Sequence, residues 1–300
     1  MIEKYLHSWK DFVSLFENYD HSRKDFIFRG HSNTINEAGT SIEWELNASY
    51  YRSNLYSSRF QEFFFYQVDQ FYESYYSDYA FGFSRVLKEK SPLEKCYFLQ
   101  HYGVPTCFID FTFDPLIALY FAMTGVRGTN QFPISKIDDL NETYLTIFQL
   151  DVHKLRNNLA IQTVTTENFT IENFDRFAIG PLGYLIGIDV DPLASCTTEL
   201  NYNLKNQNAC FIYYDIDPER YDNAEIGLDK YLEILEKLKD ADSCITKYRI
   251  NISSLYASAP NAGTKLDSAF LFLDERKSTG RYLFNDIQGL KYDMNWFHQY

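Results

Sequence analysis

Gln100-His101-Tyr102-Gly103-Val104-Pro105-Thr106-Cys107-Phe108-Ile109-Asp110-Phe111-Thr112-Phe113-Asp114-Pro115-Leu116-Ile117-Ala118-Leu119-Tyr120-Phe121-Ala122 reads as the end of one helix, a turn, a strand and the start of a second helix. Ser91, Pro92 and Glu94 form a capping-box start for the first helix, and Gly103 with Pro105 beyond it suits its stop. Along Cys107 to Thr112 the two-residue period of a strand sends Cys107, Ile109 and Phe111 one way and Phe108, Asp110 and Thr112 the other. Asp110 and Thr112 therefore share a face. Asp114-Pro115 is a second helix start, and Leu116 to Met123 is apolar on every side, which predicts a buried helix. A polar pair where a strand meets a positive helix end suits an anion or a polar ligand. The plainer reading makes Asp114 the helix cap and Thr112 a turn hydroxyl, and the pair taken alone favours it.

Composition bounds what this motif can serve. Three hundred residues, 45% of them hydrophobic, suffice for a large core, and without a repeat or a Pro/Ser linker we expect one domain rather than two. The 25 Tyr and 26 Phe predict a core filled with rings and a ring-lined cleft. A net charge of −13, with no run of Lys or Arg longer than two, repels nucleic acid and anionic membrane while leaving room for a local basic pocket. Cys96, Cys107, Cys196, Cys210 and Cys244 are widely spaced and contain no CxxC pair, so they read as reduced core thiols, with no disulfide or zinc site. The first residues lack the apolar core of a signal peptide, and no segment approaches ~18 uninterrupted apolar residues. The expectation is a soluble, cytoplasmic chain.

Outward from the motif, Ile2, Tyr5, Trp9, Phe12, Val13 and Phe16 recur at helical spacing. They predict an amino-terminal helix within residues 1–24, packed on a domain of residues 25–300 with insertions near 125–142 and 217–243. Phe26 to His31 is a short strand with Arg29 on the face opposite Phe26 and Phe28. A cation between rings and directly before a glycine either forks onto a phosphate or carboxylate, with Gly30 letting the ligand approach, or is a structural arginine tied to a carboxylate or loop carbonyls. A helix is expected from about Ser57 to Tyr76. Strands are expected at Tyr144 to Val152, Tyr184 to Val190, Ala209 to Tyr214 with Gln207 at its mouth, and Cys244 to Ile250. Further helices are expected at Ala224 to Asp240 and Leu266 to Arg276. The fold class is α+β, a mixed, mostly antiparallel twisted sheet or pair of sheets surrounded by helices.

The chain has no Walker loop, GxGxxG, HExxH or GxSxG. It does carry Phe28-Arg29-Gly30, Trp44-x-Leu46 with Ser49 and Arg52, and Gln100-His101-x-Gly103-x-Pro105-Thr106 with Asp110-x-Thr112-x-x-Pro115-x-x-Ala118-Leu119-Tyr120-Phe121-Ala122. These residues resemble the FRG domain. The resemblance extends through Asn201-x-Asn203-Leu204-x-x-Gln207-x-Ala209-x-Phe211 and Leu283-Phe284-Asn285-Asp286-Ile287-Gln288-Gly289-Leu290, so that it spans roughly residues 25 to 300. The sequence departs from the family pattern at Asn203 and Cys107, where arginine is usual, at Ala209 for glycine and at Phe111 for tryptophan.

In order along the chain, the same elements are also similar to those of ADP-ribosyltransferases. That likeness implies that Arg29, with Gly30, His31 and His101 around it, grips the diphosphate of NAD. Asp110 and Thr112 would brace the cleft floor, an aromatic ring would stack on nicotinamide, and Gln207 would face the ribose. An amide at 207 supplies a dipole but no charge, so the carboxylate such chemistry needs would come from Asp110 or Glu199. The implied function is an NAD-binding transferase or glycohydrolase without a metal, acting as an effector in microbial defence or toxicity. The competing reading is a non-catalytic module for a ligand or a protein partner, in which Arg29, His31, His101 and Asp110 hold one another. A nuclease is disfavoured by the acidic charge and the lack of a metal-carboxylate cluster.

Overall fold

The computed structural model describes residues 1–31, 34–35, 41–42, 45–52, 90–101, 104–125, 127–128, 144–170, 184–192, 202–216, 226–252 and 268–284. The expected helix at 57–76, most of the 125–142 insertion, Cys196, Glu199 and the closing loop beyond Phe284 lie outside these residues.

In chain order the strands are β1 (Ile2–Leu6), β2 (Phe26–His31), β3 (Thr34–Ile35), β4 (Ser41–Ile42), β5 (Phe108–Thr112), β6 (Arg127–Gly128), β7 (Tyr144–Asp151), β8 (Gln162–Thr163), β9 (Tyr184–Asp189), β10 (Ala209–Ile216) and β11 (Ile245–Asn251). The described helices are α1 (Trp9–Leu15), α2 (Ser49–Arg52), α3 (Pro92–His101), α4 (Pro115–Gly125), α5 (Tyr202–Asn206), α6 (Leu228–Leu238), α7 (Ser268–Glu275) and α8 (Gly280–Leu283). Eight strands form one mixed sheet in the order β1-β11-β7-β2-β5-β10-β9-β8, and β4-β3-β6 form a small second sheet. The inner pairs of the large sheet are antiparallel. Its edge pairs, β1 on β11 and β8 on β9, are parallel. The chain is thus α+β, with a mostly antiparallel mixed sheet between helices.

Helices cover both faces because both carry apolar residues. On one face Ile27, Phe148, Leu150 and Ile245 pack with Tyr97 and Leu99 of α3 and Tyr231 and Leu232 of α6. On the other, Phe28, Ile147 and Tyr248 pack with Phe12 of α1, Ala118 and Ala122 of α4 and Leu273 of α7. The α6 helix therefore contributes to the core on its face of the sheet.

The central motif folds as its residues require. Ser91 Oγ accepts the Glu94 amide at 3.3 Å while Glu94 Oε2 accepts the Ser91 amide at 3.0 Å, closing the capping box at the start of α3. Asp114 Oδ1 accepts the Leu116 amide at 2.8 Å, capping α4, whose residues from Ile117 to Tyr120 are all buried. Along β5 every side chain is buried except Asp110.

The amino terminus differs from the expectation. Ile2–Leu6 is a strand, not the first part of a helix. The helix begins only after Ser8, whose Oγ accepts the Asp11 amide at 3.3 Å while Asp11 Oδ2 accepts the Ser8 amide at 2.8 Å. This capping box starts a helix at Trp9 and leaves the preceding residues free to pair with the open edge of β11. The helical spacing ran across that boundary without registering it. Residues 1–6 consequently belong to the large sheet itself.

One glycine sets the closest contact between layers. A Cβ built on Gly30 would lie 1.9 Å from the Ala118 carbonyl oxygen and 2.5 Å from the Ala122 amide nitrogen, both backbone atoms of α4. Neither atom can move without moving the helix. Gly30→Ala should therefore destabilise the fold by about 3 kcal/mol, read from urea denaturation; a loss under about 0.5 kcal/mol, the range of ordinary surface substitutions, would show that α4 does not press on β2.

Candidate functional site

The site forms where two neighbouring strands part. β2 pairs with β7 along its whole length, from Phe26 opposite Asp151 to His31 opposite Thr146, but meets β5 only at Phe28 opposite Thr112. Beyond that point the facing edges cannot satisfy each other, and their backbone groups need other partners. Arg29 provides one. Its Nη1 donates to the Asp110 carbonyl at 2.6 Å and lies 3.6 Å from the Asp110 carboxylate.

Strand register makes this face of the sheet progressively cationic. Ile27, Leu150 and Ile245 lie side by side on β2, β7 and β11 and are fully buried. Two residues on, the row is Arg29, Phe148 and Lys247, with the Lys247 ammonium 5.4 Å from the centre of the Phe148 ring. The next row is His31, Thr146 and Arg249. Alternation thus turns an apolar stripe into a patch of cations and imidazole within four residues of β2.

A second arginine joins from α2. Its first residue, Ser49, is bound to the central motif. Ser49 Oγ accepts the Thr106 amide at 2.9 Å and donates to the Thr106 carbonyl at 3.2 Å, and the Tyr50 amide donates to that carbonyl at 3.0 Å. Tyr51 donates to the buried Asp215 carboxylate, which also accepts from Tyr213 at 2.6 Å. Ahead of α2, the Leu46 carbonyl accepts the Leu228 amide of α6 at 2.9 Å. These anchors bring Arg52 into electrostatic reach of Arg29, Asp110 and His31.

Gln100 completes the network. Its Oε1 accepts the Thr106 hydroxyl at 2.7 Å, and its Nε2 donates to the Phe108 carbonyl at 3.3 Å and to Asp110 Oδ1. A continuous chain of contacts therefore runs Ser49, Thr106, Gln100, Asp110, Arg29. The scattered motif residues of the sequence are one arrangement in space.

The recess is the gap left where β2 and β5 part. Asp110 keeps 57% of its side-chain surface in solvent, yet surrounding protein raises its pKa against the opposing pull of Arg29, Arg52 and Gln100. Arg52 is likewise exposed, yet its pKa is lowered first by the protein around it and then by Arg29. Asp110 and Arg52 thus each touch both solvent and protein. The two arginines in reach favour the ionised form of Asp110. His31 is only 7% exposed, and burial, then Arg29, Arg52 and Lys247, push its pKa down to about 3. Its imidazole is neutral. Both His31 Nδ1 and Arg29 Nε are buried without a hydrogen-bond partner among the described residues. Such orphans cost about 1–3 kcal/mol each and are rare in folded proteins.

The sequence-derived candidates divide. Arg29, His31 and Asp110 converge on the recess. Gly30 faces α4, so its missing side chain serves helix packing. The Thr112 hydroxyl is engaged within the fold, donating to the Gln207 carbonyl at 2.6 Å and accepting the Asp114 amide at 3.0 Å. Gln207 thus meets this strand through its backbone, in the turn before β10. His101 ends α3, and its side chain lies outside the described residues. Arg52 and Gln100, quoted in the motif without a role, prove to be members of the cluster, while Lys247 carried no local signal.

With that geometry in place, comparison with known proteins bears on one part of the chain. A sequence model of the FRG domain matches residues 24–131. The chain carries an FRG domain. The matched segment contains Arg29, His31, Arg52, Gln100, Thr106 and Asp110, so the FRG domain supplies the recess apart from Lys247, which β11 contributes. No curated protein and no solved structure matches the chain. Among the described residues no helix is long and apolar enough to cross a membrane.

The neutral imidazole has a consequence for acid stability. His31 binds a proton in the unfolded chain near its ordinary pKa of 6.5 but not in the fold until about pH 3. Its contribution to stability is therefore complete above pH 6.5 and is lost as pH falls toward 3. His31→Gln should remove this part of the slope, up to about 1.4 kcal/mol per pH unit, in urea unfolding compared between pH 7 and pH 5. Identical slopes in the variant and the parent would mean that His31 is protonated in the fold.

Proposed function

We propose that the FRG domain of this chain is a nucleotide-binding module that takes NAD or a related nucleotide phosphate in the recess between β2 and β5. The observation that supports it most is the pairing of solvent-accessible Arg52 and Asp110 with buried, unpartnered nitrogen atoms on Arg29 and His31. In a chain of net charge −13 this cluster runs against the overall field. It brings together Arg29, Arg52 and Lys247, with Asp110 beside the two arginines and Asp229 in reach of Lys247. Paired guanidinium groups suit a phosphate, which they can grip bidentately.

Under this reading Arg29 and Arg52 hold the phosphates and Asp110 is the carboxylate nearest the ligand. Were the module to cleave NAD, Asp110 rather than Gln207 would stabilise the oxocarbenium-like state, through position and charge. The competing reading of a non-catalytic module draws support from the engaged hydroxyl of Thr112 and the amide at 207. Mass spectrometry for nicotinamide separates the two, because a module releases none. A role in defence or toxicity goes with the cleaving form alone.

Binding is tested by titration calorimetry of the full chain with NAD. The wild type should give heat that weakens with added salt, and Arg52→Ala should lower affinity about tenfold or more. Arg52 is exposed and lies at the end of a short helix, so its loss should leave the fold intact; Arg29→Ala serves as the second variant, with a thermal melt alongside. No heat with the wild type, or equal affinity in Arg52→Ala, would overturn the proposal.

A further inference from the structure

We infer that the recess is built for a phosphate ester that carries a neighbouring hydroxyl, the combination present in a ribose phosphate, rather than for a bare phosphate; this rests on the nucleotide reading above. The argument comes from the carboxylate that stands beside the two arginines. Asp110 Oδ1 accepts from the Gln100 amide, while Oδ2 stands 3.6 Å from Arg29 Nη1, beyond hydrogen-bond length, and has no closer partner among the described residues. More than half of the side chain faces solvent. Oδ2 is thus ion-paired with Arg29 on one side and keeps room to accept on its solvent side.

Its position is fixed. Gln100 is itself held by the Thr106 hydroxyl at 2.7 Å and the Phe108 carbonyl at 3.3 Å, and the Asp110 backbone is held by Arg29 at 2.6 Å. The carboxylate cannot easily turn aside for an incoming anion. A phosphate seated on Arg29 and Arg52 then meets a like charge, which lowers the affinity of any ligand that is only a phosphate. A hydroxyl beside the phosphate reverses the sign, because it donates to Oδ2 and makes a charge-assisted hydrogen bond. His31 adds a neutral polar contact two residues from Arg29, its Nδ1 buried and unpartnered. Two cations, one fixed acceptor and one neutral imidazole match a ligand part anion and part polyol.

Titration calorimetry of the full chain at low ionic strength, with AMP, 2′,3′-dideoxyadenosine 5′-monophosphate and inorganic phosphate, tests this. The wild type should bind AMP about tenfold more tightly than the dideoxy compound, the worth of one hydrogen bond to a charged group. In Asp110→Ala that preference should fall below about threefold, with a thermal melt confirming the fold. Asp110→Asn, which keeps the shape, should bind inorganic phosphate more tightly than the wild type. Equal binding of AMP and the dideoxy compound by the wild type would overturn the inference and leave nucleotide binding standing. Undiminished preference in Asp110→Ala, or no gain for phosphate in Asp110→Asn, would also overturn it. Binding of neither nucleotide would overturn it together with the proposal above.

Discussion

The guanidinium of Arg29 reaching the Asp110 carbonyl is the contact on which the rest of the site depends. Neighbouring strands in a sheet ordinarily satisfy each other's backbone groups. Here β2 and β5 stay together for one residue pair and then separate, and an arginine takes the place of the missing ladder. That substitution holds the parted strands in register and also leaves a cation at the head of the gap. An apolar residue at 29 could do neither, since it has no donor for the carbonyl and no charge. Gly30 enforces the same geometry from the other side, by letting α4 lie directly against β2.

The remaining members of the network fix the surroundings of that contact. Ser49 ties α2 to Thr106, Thr106 orients Gln100, and Gln100 orients Asp110. Each link uses a donor and an acceptor that would otherwise be unpaired near the core, so the network contributes to stability and to the shape of the recess together. Arg29 and Arg52 lie within electrostatic reach of each other, and burial first, then these arginines and Lys247, keeps the imidazole of His31 neutral. Such a concentration of positive charge is what the proposed anion would relieve.

Much of this was legible in the sequence because it rests on local rules. The capping boxes at Ser91, the Asp114-Pro115 start and the alternation along Phe108 to Thr112 depend on residues within a few positions of one another, and the structure follows them. The alternation of β2 likewise put Arg29 opposite Phe28. What escaped was non-local. Strand β1 forms because β11 offers an open edge, which no residue near Ile2 announces. Lys247 joins the recess only through the register of β11 on β7. Thr112 was legible in both its readings, and its hydrogen bonds to Gln207 and Asp114 match the plainer one, a turn hydroxyl. The FRG resemblance gathered Ser49, Arg52, Gln100 and Asp110 into one pattern without saying what joined them; the hydrogen bonds supply that.

The central claim is that an anion sits between Arg29 and Arg52. Arginine side-chain NMR of the full chain, following the Nε–Hε resonances during titration with AMP, tests it most directly. The account predicts that the resonances of residues 29 and 52 shift together and saturate at the same nucleotide concentration, with the buried Nε of Arg29 moving most as it gains a partner. If nucleotide binds while both resonances stay in place, the ligand lies elsewhere and the cluster is structural.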